Sequence, residues 1–390
     1  MGKYNFDEII DRRGTNCRKW DSCEEGVIPL WIADMDFKAA PAIYKAIVKR
    51  ANHPIYGYVN VPQTYYDAVI KWFSRRHGWN GIKTESIIHT VSVVPALAAT
   101  LGAITKEGGK VLIQSPVYDG FYECIQYHDC IVVDNALVFE NGRYEIDFKD
   151  FEAKASDPEV KAFVLCNPHN PAGRVWTEEE LRKMGEICFK HNVTVISDEI
   201  YCDFAFSGKK YTPFATLGEE FESKSIFFTS ASKSFNLGGL RTANIIVPNP
   251  DLKAIVERSV KHYEVSNMNP FGLEALIAAY NESEDWLEEM LSYIEANYKF
   301  LRDFFAKELP QFTVAEMEGT YLAWVKVGSK TEGEVCWENA TAFCDKLLEA
   351  GKVRFNPGGM YGNDDFIRVN LACPRSVLAE ALGRLKKFVG

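Results

Sequence analysis

The chain has 390 residues, 47% of them hydrophobic and 25% charged, which is enough to bury two or three domains' worth of core. Its net charge of −10, with no basic run, excludes a nucleic-acid surface. No apolar stretch reaches about 18 residues, and the N-terminus lacks the apolar core of a signal peptide, so a cytoplasmic protein that spans no membrane is expected. Ten scattered cysteines without a Cys-x-x-Cys pair imply free thiols in a reducing compartment, and the seven histidines show no metal-ligand spacing.

Taken in order, the chain opens with Tyr4 to Asn16, Lys19-Trp-Asp21 and Pro29-Leu-Trp-Ile-Ala-Asp-Met-Asp-Phe37. Pro41 begins a helix, and His53-Pro-Ile-Tyr-Gly-Tyr58 is an aromatic turn. Short apolar runs then alternate with helical patterns. Strands are predicted at Ile87–His89, Lys110–Gln114, Cys130–Asp134, Ala162–Cys166, Val193–Ser197, Ser225–Thr229 and Ala243–Val247, and a helix over Val93–Ile104. Strands alternating with helices predict an α/β fold with a mainly parallel sheet covered on both faces. Ligands of such sheets bind beyond the carboxyl ends of the strands. Asp285–Leu309 has the spacing of a long amphipathic helix. A smaller unit follows, with strands at Thr320–Val327, Val353–Pro357 and Phe366–Leu371 and a closing helix from Pro374.

The densest chemistry lies in Thr229-Ser-Ala-Ser-Lys-Ser-Phe-Asn-Leu-Gly-Gly-Leu-Arg241. Ser230, Ser232 and Ser234 crowd a strand exit around Lys233, and Arg241 follows eight residues later. Hydroxyls plus an arginine suit a phosphate, and a lysine beside them suits a carbonyl cofactor held as a Schiff base. A solvated Ser/Lys loop is the plainer alternative. Three further stretches follow predicted strands or lie near the C-terminus: Asn167-Pro-His-Asn-Pro-Ala-Gly173, Ser197-Asp-Glu-Ile-Tyr201 and Asp365-Phe-Ile-Arg-Val-Asn370. In order and spacing these resemble the fold-type I pyridoxal-phosphate (PLP) enzymes, the aspartate-aminotransferase superfamily. Phe6 to Asn16, Trp31 to Phe37 and Val93-Val-Pro-Ala-Leu97 resemble one branch of it, the MalY/PatB-type cystathionine β-lyases or C-S lyases.

The resemblance implies a large PLP-binding domain with a seven-stranded sheet over residues 46–289, and a smaller α+β domain from residues 1–45 and 290–390. It implies that Lys233 carries the cofactor and serves as base, and that Asp198 pairs with the pyridine nitrogen. Asn167 and Tyr201 would reach the ring's phenolic oxygen, and Tyr118 would stack on the ring. Ser230, Ser232, Arg241 and the N–H groups of Val93 and Val94 would hold the phosphate, the last two at a helix start. Tyr58 would reach the phosphate of a neighbouring subunit in a homodimer with shared sites. Arg368 would clamp the substrate carboxylate, with Ala33, Asn167 and Tyr118 also lining the substrate. No metal is implied. For the reaction, β-elimination from L-cystathionine or a related cysteine S-conjugate stands beside aminotransfer, because Tyr201 replaces a histidine frequent in the lyase branch. A regulatory, partner-binding PLP-fold protein is a further alternative.

Overall fold

The computed structural model describes residues 2–206, 208–328 and 337–390. Its centre is a seven-stranded sheet. The strands are β1 (Ile87–Thr90), β2 (Lys110–Ile113), β3 (Ile131–Asp134), β4 (Val160–Cys166), β5 (Thr194–Asp198), β6 (Ser225–Thr229) and β7 (Ala243–Ile246). The spatial order is β1-β7-β6-β5-β4-β2-β3. All neighbours are parallel except β7, which runs antiparallel to both β1 and β6.

Alternation along each strand explains why the sheet is covered twice. Leu112, Phe163, Leu165, Val195 and Phe227 enter one hydrophobic cluster. Val111, Ile113, Val164, Ile196, Ile226 and Phe228 enter the other. Successive side chains point to opposite faces, so a continuous apolar run demands helices on both. Helix α1 (Val93–Ile104) covers the second face, as its Ala96, Leu97 and Leu101 show.

The long helix α2 (Glu284–Glu308) leads away from this sheet. Beyond it lies a four-stranded antiparallel sheet. Its order is β8 (Thr313–Val314), β9 (Leu322–Lys326), β11 (Phe366–Asn370) and β10 (Asn356–Pro357). Trp324 stacks on Phe366 with ring centroids 5.2 Å apart and donates to the Tyr144 hydroxyl at 3.0 Å. The single strand expected over Val353–Pro357 is split. Val353–Arg354 pairs in parallel with Ile28–Pro29, whereas Asn356–Pro357 pairs with Arg368 and Ile367. The N-terminal segment is thereby tied to the C-terminal portion.

Candidate active site

The carboxyl edge of the large sheet gathers the predicted site. Each parallel strand ends there, so the residues just past β1, β2, β4, β5 and β6 converge. The antiparallel β7 brings its amino end to the same edge, because Asn244 pairs with Thr229. That reversal sets Arg241 and Thr242 beside Ser230, although they are eleven and twelve residues away in sequence. A cavity of about 630 Å³ results, lined by Val93, Val94, Tyr118, Asp198, Tyr201, Ser230, Ser232, Lys233 and Arg241 from the large sheet's side. Arg368, on β11, and Ala33, on the N-terminal segment, close it from the other side.

One end of the cavity is built for an anion. The first N–H groups of α1 have no side-chain cap from Ser92, and a helix N-terminus with open N–H groups attracts negative charge. Ser232, Arg241 and Thr242 line the same space. The Ser230 hydroxyl is already committed: it donates to the Thr242 carbonyl at 2.7 Å and accepts the Ser232 N–H at 3.0 Å. It therefore shapes the loop as much as it faces a ligand. Arg241 has φ +53°, which fixes its backbone in the left-handed turn that follows Gly238–Leu240.

The reactive centre holds two ionisable groups of opposite type, a buried carboxyl and a half-buried lysine. Burial pushes the Asp198 carboxyl up to about 7, against the pull of the Ile200 N–H and of Lys233. Burial, with Arg368 nearby, pushes the Lys233 amine down to about 8. A lysine with so low a value has a substantial neutral fraction near pH 8, as a base or nucleophile requires. Lys233 Nζ donates to the Ala33 carbonyl at 2.9 Å, and the Tyr321 hydroxyl donates to the same oxygen at 2.9 Å.

The segment Trp31–Asp36 acts as a strap across the site. The Trp31 carbonyl accepts from Arg368 Nη2 and Asn356 Nδ2, both at 3.1 Å. Asn370 Nδ2 donates to the Ile32 and Asp34 carbonyls at 2.6 Å. Asn236, which follows the lysine loop, exchanges two 2.9 Å bonds with the Met35 backbone. Asp36 is buried against Lys19 at 2.7 Å and Arg12 at 2.6 Å. Burial opposes its charge, but Lys19, Trp20 and Arg12 hold its carboxyl below the usual range.

Asn167 requires a correction. It is not on the cavity wall; its amide donates to the Thr212 carbonyl at 3.1 Å. That loop also supplies Tyr211 and Phe214, whose O–H and N–H bind the buried Glu199 at 2.5 and 3.0 Å. The cavity-lining asparagine is Asn170, whose Oδ1 accepts from Arg368 Nη1 at 3.2 Å. Two Asn-Pro pairs lie three residues apart, and pattern alone could not say which asparagine turns inward. Asn236, Asn356, Asp34 and Tyr361 also line the cavity without having been singled out from sequence. Tyr58 lies elsewhere: it is fully exposed and outside the cavity.

The residues present fit PLP on two counts. The buried Tyr201 hydroxyl has no hydrogen-bond partner, while Tyr321 beside it donates to Ala33 instead. A buried polar group left unmatched is costly, and a ligand oxygen would satisfy it. Anion donors at one end and a buried carboxylate at the other also match a phosphorylated pyridinium.

A strand-edge site of this kind, with a lysine among serines, defines a fold-type I enzyme. The aminotransferase class I and II family model matches residues 25–385, and the chain belongs to that family. Cystathionine beta-lyase PatB of Bacillus subtilis is 39% identical over 389 residues, covering 98% of this chain and 99% of that protein. Cystalysin from Treponema denticola, solved with pyridoxal 5'-phosphate, superposes with a TM-score of 0.92 at 32% identity, covering 99% and 98% of the two chains. A PLP-bound C-S lyase from Staphylococcus hominis gives 0.90 at 34% identity, again covering 99% and 98%.

Proposed function

We propose that this chain is a PLP-dependent carbon–sulfur β-lyase, which cleaves L-cystathionine or a related cysteine S-conjugate to a thiol, pyruvate and ammonia. The observation that carries this is the half-buried Lys233, its amine held 2.9 Å from the Ala33 carbonyl on the strap and sharing one cavity with Asp198 and Arg368. End-to-end similarity to a cystathionine beta-lyase favours elimination over aminotransfer.

Bound PLP supplies an electron sink for the substrate's α-carbon. The chain does the rest. Arg368, anchored by Asn170 and the Trp31 carbonyl, offers a guanidinium to the substrate carboxylate and fixes which substituent faces Lys233. Lys233 Nζ then takes the α-proton, a step worth about 10²–10⁴ in rate for a positioned base. The Ala33 carbonyl orients that amine beforehand. Asp198 keeps a negative charge at the buried end, where it would hold a ring nitrogen protonated. Tyr201 keeps its proton, since burial pushes its hydroxyl well up, and remains a donor.

The site roles above are part of this proposal, as are the division at residues 46–289 and a homodimeric assembly. The stretch around Tyr58 also exposes Tyr44, Ile55 and Tyr56, a surface suited to a second copy. The deciding experiment incubates cofactor-loaded protein with L-cystathionine. Pyruvate, ammonia and homocysteine in equal amounts are expected. Stoichiometric conversion of an added keto acid, without pyruvate, would instead make it an aminotransferase. Borohydride should fix the cofactor on the peptide containing Lys233; label on any other lysine overturns the assignment.

A further inference from the structure

After the roles above are assigned, two charged residues of the cavity wall are left over. They are Arg18, on the N-terminal segment, and Asp119, directly after Tyr118. Arg12 on the same wall is already taken by Asp34 and Asp36 at 2.8 and 2.6 Å. Arg18, by contrast, is exposed, lines the cavity and makes no ion pair or hydrogen bond among the described residues. Asp119 accepts its own and the Gly120 N–H and forms no ion pair there. It lies within electrostatic reach of both Arg368 and Arg18. The same cavity wall carries the apolar or aromatic side chains Trp31, Met360 and Tyr361. Tyr361 is placed at the Arg368 end, since the guanidinium sits 4.5 Å from its ring centroid.

This set of groups on one cavity wall matches a two-headed thioether. An α-amino-acid head is held at Arg368 and Lys233. An apolar methylene and sulfur arm would run along Tyr361, Met360 and Trp31. A second zwitterion would then meet one cation and one anion. We propose that Arg18 and Asp119 form a distal subsite, Arg18 for the far carboxylate and Asp119 for the far ammonium of a cystathionine-class substrate. The subsite rests on the lyase reading for its substrate class, yet it can be tested apart from turnover. It makes Arg18 and Asp119 specificity determinants: they select two-headed thioethers over simple S-alkyl cysteines. Both heads carry opposite charges in fixed order, so a pair of unlike charges discriminates better than two of one sign.

The test uses cofactor-loaded Lys233→Ala protein, which binds without removing the α-proton. L-cystathionine, S-(3-carboxypropyl)-L-cysteine and S-ethyl-L-cysteine are titrated against the cofactor absorbance. Arg18→Gln in this background should weaken both carboxylate-tailed compounds by about tenfold, the scale of one lost charge-assisted contact. S-ethyl-L-cysteine should stay within about twofold. Arg18→Lys should recover part of the loss. Asp119→Asn should weaken L-cystathionine alone, because the carboxypropyl compound has no far ammonium. Equal losses for all three compounds, or none, would overturn the subsite. Pyruvate release by otherwise wild-type protein is measured in parallel. Lyase activity with an affinity ratio indifferent to Arg18 rejects the subsite and keeps the lyase. An Arg18-dependent ratio without pyruvate keeps the subsite and rejects the lyase.

Discussion

Arg368 is buried, and its two bonds, to Asn170 and to the Trp31 carbonyl, fix the plane of its guanidinium. Lysine could keep the charge but not the fork. Arg368→Lys should lower kcat/KM for every amino-acid substrate by about 1.5–3 kcal/mol, while cofactor absorbance stays unchanged. A lost absorbance band would place the arginine on the cofactor instead. Asp198 gives a pH-dependent prediction for cofactor-free protein. Its carboxyl titrates at about 7 folded against 3.8 as the ordinary value, so the folded state binds more protons between these limits. Stability is therefore lost as pH rises from about 4 to 7 and stays lowered above. Asp198→Asn removes this cost, on the order of a few kcal/mol. Its apoprotein should melt higher than the wild type at pH 8 and equally near pH 4, while binding PLP more weakly. A melting difference independent of pH would contradict the buried ionisation.

Between elements, the lysine loop is braced by a buried ion-pair network. Asp203 accepts from Arg76 Nε and His77 Nε2, both at 2.9 Å, and from the Ser234 hydroxyl next to Lys233. Arg76 in turn reaches Glu284 at 3.2 Å and Glu288 on α2. Burial opposes the Asp203 charge, but His77, Arg76 and Ser234 hold its carboxyl below the usual range. Its stabilising effect is thus present above pH 4 and lost only at stronger acidity. Cys202, His77 and Asp203 also offer ligand atoms within 4.8 Å of one another. The Arg76 cation already neutralises that carboxylate, and burial raises the Cys202 thiol well above its ordinary value, so an ion-pair network accounts for the cluster. Asp203→Ala leaves the Arg76 guanidinium and the His77 ring without their shared carboxylate. Breaking a buried pair costs about 3–5 kcal/mol; because Arg76 keeps Glu284 and Glu288, the lower end, about 3 kcal/mol, is expected in denaturant unfolding. A cost below about 1 kcal/mol would show that the network does not brace the loop. The hairpin Val138–Glu140 with Arg143–Glu145 belongs to this scale too. Sequence reading missed it, although Asn141-Gly142, at φ +50° and +82°, is the two-residue turn that fits a hairpin's twist.

For the whole molecule, the exposed Tyr58 sets an expectation about assembly. A fully exposed tyrosine among other exposed aromatics is costly in water, and a symmetric second copy would cover it. Sedimentation should find a dimer. Mixing Tyr58→Phe with Lys233→Ala subunits should restore one intact site per mixed dimer, if Tyr58 serves its neighbour. Full activity in a monomer would reject the shared site. Much of the rest was fixed locally. Apolar runs specified all seven strands of the large sheet to within two residues at their ends, and Val93–Ile104 as a helix, because period and burial are local properties of the chain. Lys233, Asp198, Tyr201 and Arg241, all on the cavity wall, lie at or after the ends of β5 and β6, in motifs that the sequence displays directly. What only the tertiary structure decided are contacts between segments far apart in sequence. The reversal of β7 brings Arg241 to the serines, and the strap at Trp31–Asp36 meets Arg368 and Lys233 some 200 to 340 residues away. The choice of Asn170 over Asn167 is of the same kind. Both precede proline in one motif, and only the packing of Thr212 on one side and Arg368 on the other gives each its direction.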